Sequence, residues 1–178
     1  MKDFYVICDN IRSLEDIGSI FRTSDALGVS KIFLCGISGR PPRSGFPASQ
    51  GNLATLHPKI SKTALGAEKT IPFEYCSSTS RLINKLRSPS FVSPLRDFGG
   101  RSKINIIALE QGKKAIDYKS FKPKFPLALI VGNEVKGVSK KILDKADKVI
   151  FLPMSGQKES LNVSVAFGVA GYEINKYR

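Results

Sequence analysis

The sequence predicts an α/β protein, built on a mainly parallel sheet with helices on both faces. Three observations predict it. Short β-rich runs recur along the chain, several are continuously apolar rather than alternating, and segments with helical spacing separate them. A strand covered on both faces has no polar side to show water, so FLC, INIIAL, LALIV and VIFL read as interior strands of a parallel sheet.

Taken in order, the predicted strands are 4–8, 31–35, 70–75, 104–109, 126–131 and 148–152. Between the first two, Leu14, Ile17, Phe21 and Gly28 share a stripe with Ile20 and Leu27 beside it, which predicts an amphipathic helix. Residues 61–69 (SKTALGAEK) and 78–87 (STSRLINKLR) each suit two to three turns. Ser139 is a credible N-cap for KKILDKAD. A last helix is expected over 162–177, with Ala166, Val169, Ala170 and Ile174 on its apolar face. Strands alternating with helices give βαβ units. Segments 37–57 and 88–103 are rich in Gly, Pro and Ser and read as long loops; each sets Arg beside Phe, a composition suited to RNA. No repeat or second domain is evident, so 1–178 reads as one domain.

Lys and Arg total 28 against 15 Asp and Glu, a net charge of +13. That surplus favours a polyanionic partner through phosphate contacts and counterion release. No run approaches the roughly 20 apolar residues that cross a bilayer. MKDFYVICDN lacks the apolar stretch of a signal peptide, so a cytoplasmic protein is expected. The three cysteines (Cys8, Cys35, Cys76) form no CxxC pair and read as small buried apolar residues. With a single histidine, no metal site is expected.

Three segments carry chemistry. Residues 10–29 (NIRSLEDIGSIFRTSDALGV) follow a strand and open a helix, where Gly18 and Ser19 permit close backbone approach and Arg22 is placed to grip a phosphate or oxyanion. Residues 127–139 (LALIVGNEVKGVS) run from a buried strand into Gly132, Asn133, Glu134 and Gly137, a strand–turn–helix arrangement that presents backbone to a nucleotide-like ligand. It is neither GxGxxG nor a P-loop, which argues against NAD and ATP. Residues 151–174 (FLPMSGQKESLNVSVAFGVAGYEI) place Ser160 and Asn162 at the start of the last helix, where either also serves as a cap. Gly168 and Gly171 inside that helix each cost up to about 1 kcal/mol relative to Ala, which suggests close packing there.

In order, spacing and content these segments, with KTALGAE and IALEQ, resemble the three motifs of the SpoU (TrmH-like) family within the SPOUT class of methyltransferases. The resemblance runs from Asp9 to about Tyr172. It implies a C-terminal trefoil knot, S-adenosylmethionine as cofactor and a homodimer. It also implies transfer of a methyl group to a ribose 2′-hydroxyl of structured RNA, tRNA ahead of rRNA. By the family's pattern the cofactor meets Leu109, Gly132, Leu152, Ser160 and Leu161. Catalytic roles fall to Arg22, Glu134, Ser160 and Asn162, with Arg22 of one subunit facing the other subunit's cofactor. Asp16 stands where the family usually has Asn; it would repel RNA phosphate or pair with Arg22. The alternatives are an RNA-binding protein that keeps the fold without methylation, and an unrelated α/β enzyme binding a phosphate or nucleotide sugar.

Overall fold

The computed structural model describes residues 2–39, 56–88 and 103–178. Among them seven strands make one sheet in which every pairing is parallel: β1 (Phe4–Asp9), β2 (Lys31–Cys35), β3 (Phe73–Cys76), β4 (Asn105–Leu109), β5 (Ile116–Asp117), β6 (Leu127–Val131) and β7 (Lys148–Phe151). Their spatial order is β3-β2-β1-β6-β4-β7-β5. β1 to β3 step outward in one direction, whereas β6 is inserted between β1 and β4. The strand order therefore reverses mid-sheet, and a crevice outside the carboxyl ends of the strands is expected there.

Alternate side chains of each strand feed two cores. Phe4, Val6, Cys8, Leu127, Leu129 and Val131 pack beneath α1 (Leu14–Ala26), α2 (Pro58–Ala64), α3 (Ala67–Thr70) and the last helix, Val163–Asn175. Tyr5, Ile7, Ile106, Ala108, Ala128 and Ile130 pack beneath α4 (Thr79–Arg87) and α5 (Lys140–Leu143). The last helix, α6, returns to lie against α1. Ser13 caps α1, its Oγ accepting from Asp16 N at 3.1 Å, and Glu15 and Asp16 lie in the first turn, where the helix dipole favours anions. Gly18 is required by α2: a Cβ there would stand 2.0 Å from Thr63 Oγ1 and 2.3 Å from Ile60 O.

Helices on both faces of a parallel sheet are as the sequence predicts, and the differences have local causes. The helix expected over 61–69 is two, broken where Leu65 and Gly66 take positive φ of 51° and 97°. Its second part ends at Thr70, so β3 starts at Phe73 rather than at 70. β5, two residues long, is too short to leave a pattern. Ser139 precedes α5 but makes no side-chain cap, and the helix stops at Leu143 because Asp147 is drawn to the sheet, where Oδ2 accepts from Ile106 N at 2.9 Å. Gly171 packs on Leu27, as a glycine under pressure should, whereas Gly168 meets little among the described residues. Of the long loops, 40–55 and 89–102 lie outside the described residues. Cys8 and Cys35 are buried, and burial pushes the Cys8 thiol up to about 12. Cys76 is only half-buried, and its hydrogen bond with Cys35, opposite it on β2, lowers its thiol. No helix among the described residues is long and apolar enough to cross a membrane.

Candidate active site

A cavity of about 280 Å³ opens at the carboxyl ends of β4, β6 and β7. Leu109, Val131, Phe151 and Leu152 wall it from the strand ends, and Met154, Leu161, Val163 and Ala166 close it from the segment leading into α6. Each strand end runs into a turn, and hydrogen bonds tie the turns together. In the turn after β6, Asn133 Oδ1 accepts from Val135 N at 3.0 Å and Lys136 N at 2.9 Å. The turn closes so tightly that a Cβ on Gly132 would lie 2.6 Å from the backbone of Gly137 and Val138. Glu110, after β4, braces it: Oε2 accepts from Val138 N at 2.6 Å. Gly137 has a positive φ of 62°, and a Cβ there would strike that same oxygen at 2.1 Å. Gln111 Nε2 then donates to Leu152 O at 2.8 Å, joining the turns after β4 and β7.

The turn after β6 also fixes the approach to α1. Asn133 Nδ2 donates to Asn10 O at 2.8 Å. The Glu134 carboxylate accepts from Arg12 N and Ser13 N, at 3.0 and 2.9 Å through Oε1. This glutamate thus seats the start of α1, anion against helix N-terminus. Asn162 caps α6, its Oδ1 accepting from Ser164 N at 2.9 Å and Val165 N at 3.3 Å. Its Nδ2 donates to Asp16 Oδ1 at 2.9 Å, and Ser164 Oγ donates to the same oxygen at 3.0 Å. Asp16 therefore joins α1 to α6 and does not pair with Arg22.

Leu109, Gly132, Leu152, Ser160 and Leu161 all line the cavity, and so does Glu134. Asn162 lies just outside it, turned to Asp16. Arg22 does not line it. That arginine is exposed on α1, beside a hollow lined by Asp25, Leu65, Gly66 and Thr70, and it has no hydrogen bond or ion pair to the described residues. Sequence reasoning gave no task to Glu110, Gln111 or Asn10. Their signal is positional: polar residues placed directly after apolar strands, at the carboxyl edge where such sheets bind ligands.

The charge of the cavity is opposite to that of the chain. Among the described residues its charged lining groups are Glu110, Glu134 and Glu159, with no Lys or Arg. A pocket so lined repels phosphate and accommodates a cation, and its apolar walls suit a flat ring system.

The sequence matches the SpoU rRNA Methylase family over residues 3–172. The chain belongs to that family. Membership makes it an S-adenosylmethionine-dependent RNA methyltransferase by class. It is 31% identical over 177 residues to the tRNA (guanosine(18)-2′-O)-methyltransferase of Aquifex aeolicus, covering 99% of this chain and 71% of that protein. It is 28% identical to a putative TrmH family tRNA/rRNA methyltransferase of Bacillus subtilis, spanning 99% of this chain but 60% of that protein. The A. aeolicus TrmH/SpoU tRNA modifying enzyme superposes with a TM-score of 0.75 at 26% identity, covering 100% of this chain and 76% of that one. The AdoMet-bound rRNA methyltransferase of Sinorhizobium meliloti does so at 0.76 and 22%, covering 99% and 57%.

The cofactor of this methyltransferase family fits the cavity. S-adenosylmethionine carries a sulfonium and an ammonium against one carboxylate, so three glutamates complement it where they would oppose ATP or NAD. Gly132 leaves room where any side chain would collide with the turn.

Proposed function

We propose that this chain transfers the methyl group of S-adenosylmethionine to a ribose 2′-hydroxyl of structured RNA, tRNA ahead of rRNA, as a homodimer. One observation carries the reading. The residues that the family's pattern assigns to the cofactor converge on a single anionic-lined cavity, while the cation assigned to the substrate stands free outside it. The 31% identity to a tRNA 2′-O-methyltransferase favours ribose and tRNA.

A dimer reconciles the separation of Arg22 from the cavity. Leu161, just before α6, and Val165, Val169 and Tyr172 along it are 40–56% exposed, an apolar stripe that begins at the cavity rim. Gly168 leaves the same face open to close approach. A second copy on this stripe buries it and lets the copy's α1 carry Arg22 toward the cavity, the self-complementary contact a two-fold demands. A C-terminal knot belongs to the same reading. It is supported by β7 lying beyond β4 while the helix that follows returns to α1.

The cofactor supplies an electrophilic methyl group on sulfur. The chain supplies position and charge. Arg22 binds the ribose oxygen or its neighbouring phosphate through its guanidinium and stabilises negative charge on the oxygen. Glu134 and Asn162 act as positioning residues, through the start of α1 and the cap of α6. Ser160, exposed at the rim, is free to orient substrate. Asp16, the departure from the family's Asn, keeps its acceptor role toward Asn162 and Ser164. It therefore gives no support to a protein that has lost methylation.

The test is methyl transfer to total tRNA and rRNA, followed by nucleoside digestion and mass spectrometry. A 2′-O-methylated nucleoside is expected. Arg22→Ala should lower turnover at least about 100-fold while cofactor binding by calorimetry is unchanged. A base-methylated product, or wild-type turnover by the variant, contradicts the reading.

A further inference from the structure

The positive charge of this chain is not spread evenly over its helices. On the face covered by α1, α2, α3 and α6, the helices carry four cations (Arg22, Lys59, Lys62, Lys69) against five carboxylates (Glu15, Asp16, Asp25, Glu68, Glu173). On the opposite face, α4 and α5 carry five cations (Arg81, Lys85, Arg87, Lys140, Lys141) and no carboxylate. Lys136, just before α5, and Lys145, just after it, extend the same layer.

The layer is one continuous surface. Leu82, Ile83 and Leu86 of α4 share a core with Val138 and Ile142. Arg87 Nη2 donates to Lys145 O at 2.8 Å, and Lys145 Nζ to Asn84 Oδ1 at 3.2 Å. The carboxylates nearby are already taken: Asp144 pairs with Lys140 at 2.9 Å, and Asp147 with Arg87 and Lys103 at 3.0 and 2.8 Å. Arg81, Lys136 and Lys141 make no ion pair or side-chain hydrogen bond to the described residues, and the partner of Lys145 is a neutral amide. Cations left unpaired on one face, with none of their own acids to neutralise them, form a field suited to a phosphate backbone. This face also reaches the active site, because Lys136 lies in the turn that closes on Gly132.

We infer that the α4–α5 face is a second RNA-docking surface. On it Arg81, Lys136, Lys141 and Lys145 hold the phosphate backbone of a base-paired arm of the substrate while the reacting nucleotide sits at the cavity. The inference rests on the RNA methyltransferase reading for its choice of polyanion. It adds to that reading a surface on the side of the sheet away from Arg22. Contacts to phosphate alone carry no sequence information, so this surface selects shape and length of duplex rather than sequence.

The experiment compares two charge-reversal triples of the full chain. One is Arg81→Glu/Lys141→Glu/Lys145→Glu; the other, Lys59→Glu/Lys62→Glu/Lys69→Glu, makes the same change in net charge on the opposite face. Affinity for a fluorescent RNA hairpin is read by anisotropy across a salt series, and cofactor affinity by calorimetry. The first triple should lose at least about tenfold in RNA affinity, and its slope of log affinity against log salt should fall by nearly three, given a loss near 0.9 per phosphate contact for duplex DNA. The second should stay close to wild type, and neither should change cofactor binding. Equal losses in both triples would mean a general charge effect and would overturn the assignment, as would an unaffected first triple. Loss of binding to anionic phospholipid vesicles without loss of RNA affinity would assign the face to a lipid surface instead. A wild-type protein that shows this RNA dependence yet transfers no methyl group sinks the enzymatic reading and leaves the docking face standing.

Discussion

Position 16 shows how one side chain sets both structure and substrate grip. Asp16 Oδ1 takes hydrogen bonds from Asn162 and Ser164, and an asparagine oxygen accepts both equally well. The carboxylate adds a negative charge near the proposed path of the RNA. Asp16→Asn should therefore keep the melting temperature and lower KM for RNA, with kcat unchanged. Asp16→Ala should instead lose stability of about 1 kcal/mol, because Asn162 Nδ2 loses its acceptor and Ser164 Oγ keeps only Asn162 Oδ1. Melting curves and steady-state kinetics on the pair separate the two effects; an unchanged KM in Asp16→Asn argues that the charge does not face substrate. The residues that build the cavity are legible in the sequence because Gly132, Leu152 and Leu161 belong to compact motifs. Glu110 and Asn10 are not legible, since their tasks are hydrogen bonds to chain 28 and 123 residues away. Glu134 is legible as part of a motif, but its use as an acceptor for the Arg12 and Ser13 amides needs the fold.

At the scale of elements, the contact of α1 with α2 holds the active-site helix in place. Thr63 Oγ1 donates to Glu15 O at 2.9 Å across the gap left by Gly18. Gly18→Ala forces these helices apart and should cost about 1–3 kcal/mol. At roughly 2–4 °C per kcal/mol for a chain of this size, calorimetry resolves the loss easily. An unchanged melting temperature would mean that the helices are not packed this closely. On the other face, Asp147 ties α4, β4 and β7 together. Burial alone would raise its pKa, but hydrogen bonds from Lys103 and the Ile106 amide, with the nearby Arg87 charge, hold it below the usual carboxylate range. Its folded pKa is thus lower than its unfolded one, so its stabilisation is present at neutral pH and is lost as pH falls through about 4 and below. Asp147→Asn should flatten the acid limb of stability against pH, and an unaltered limb would show that the aspartate contributes nothing there. The strands were legible because their apolar runs are continuous. The break at Leu65 and Gly66 was not, because a leucine in the left-handed region leaves no mark on periodicity.

At the scale of the whole molecule, the sequence motifs and the sheet order meet at one place. Reversal of strand order between β1, β6 and β4 opens the crevice, and the turns that close it come from three strands well separated in the chain. The order itself was illegible in the sequence, since nothing in a strand's composition says that β6 slips between β1 and β4. The chain's charge was legible as a total but not as a distribution, because helix faces are assigned only once the sheet is assembled. The separation of Arg22 from the cavity has the largest functional consequence. On the proposed dimer it makes each site the joint product of two copies, one supplying the anionic-lined cavity and the other the guanidinium.

Co-expression of Arg22→Ala with Gly132→Ala measures that claim directly. Each variant alone should be inactive, the first for want of the cation and the second for want of a cavity. Random pairing makes about half of the dimers mixed, each with one intact site, so about a quarter of wild-type methyl transfer should return. If both variants fold and pair yet no activity returns, the site is built within one chain and the account is wrong.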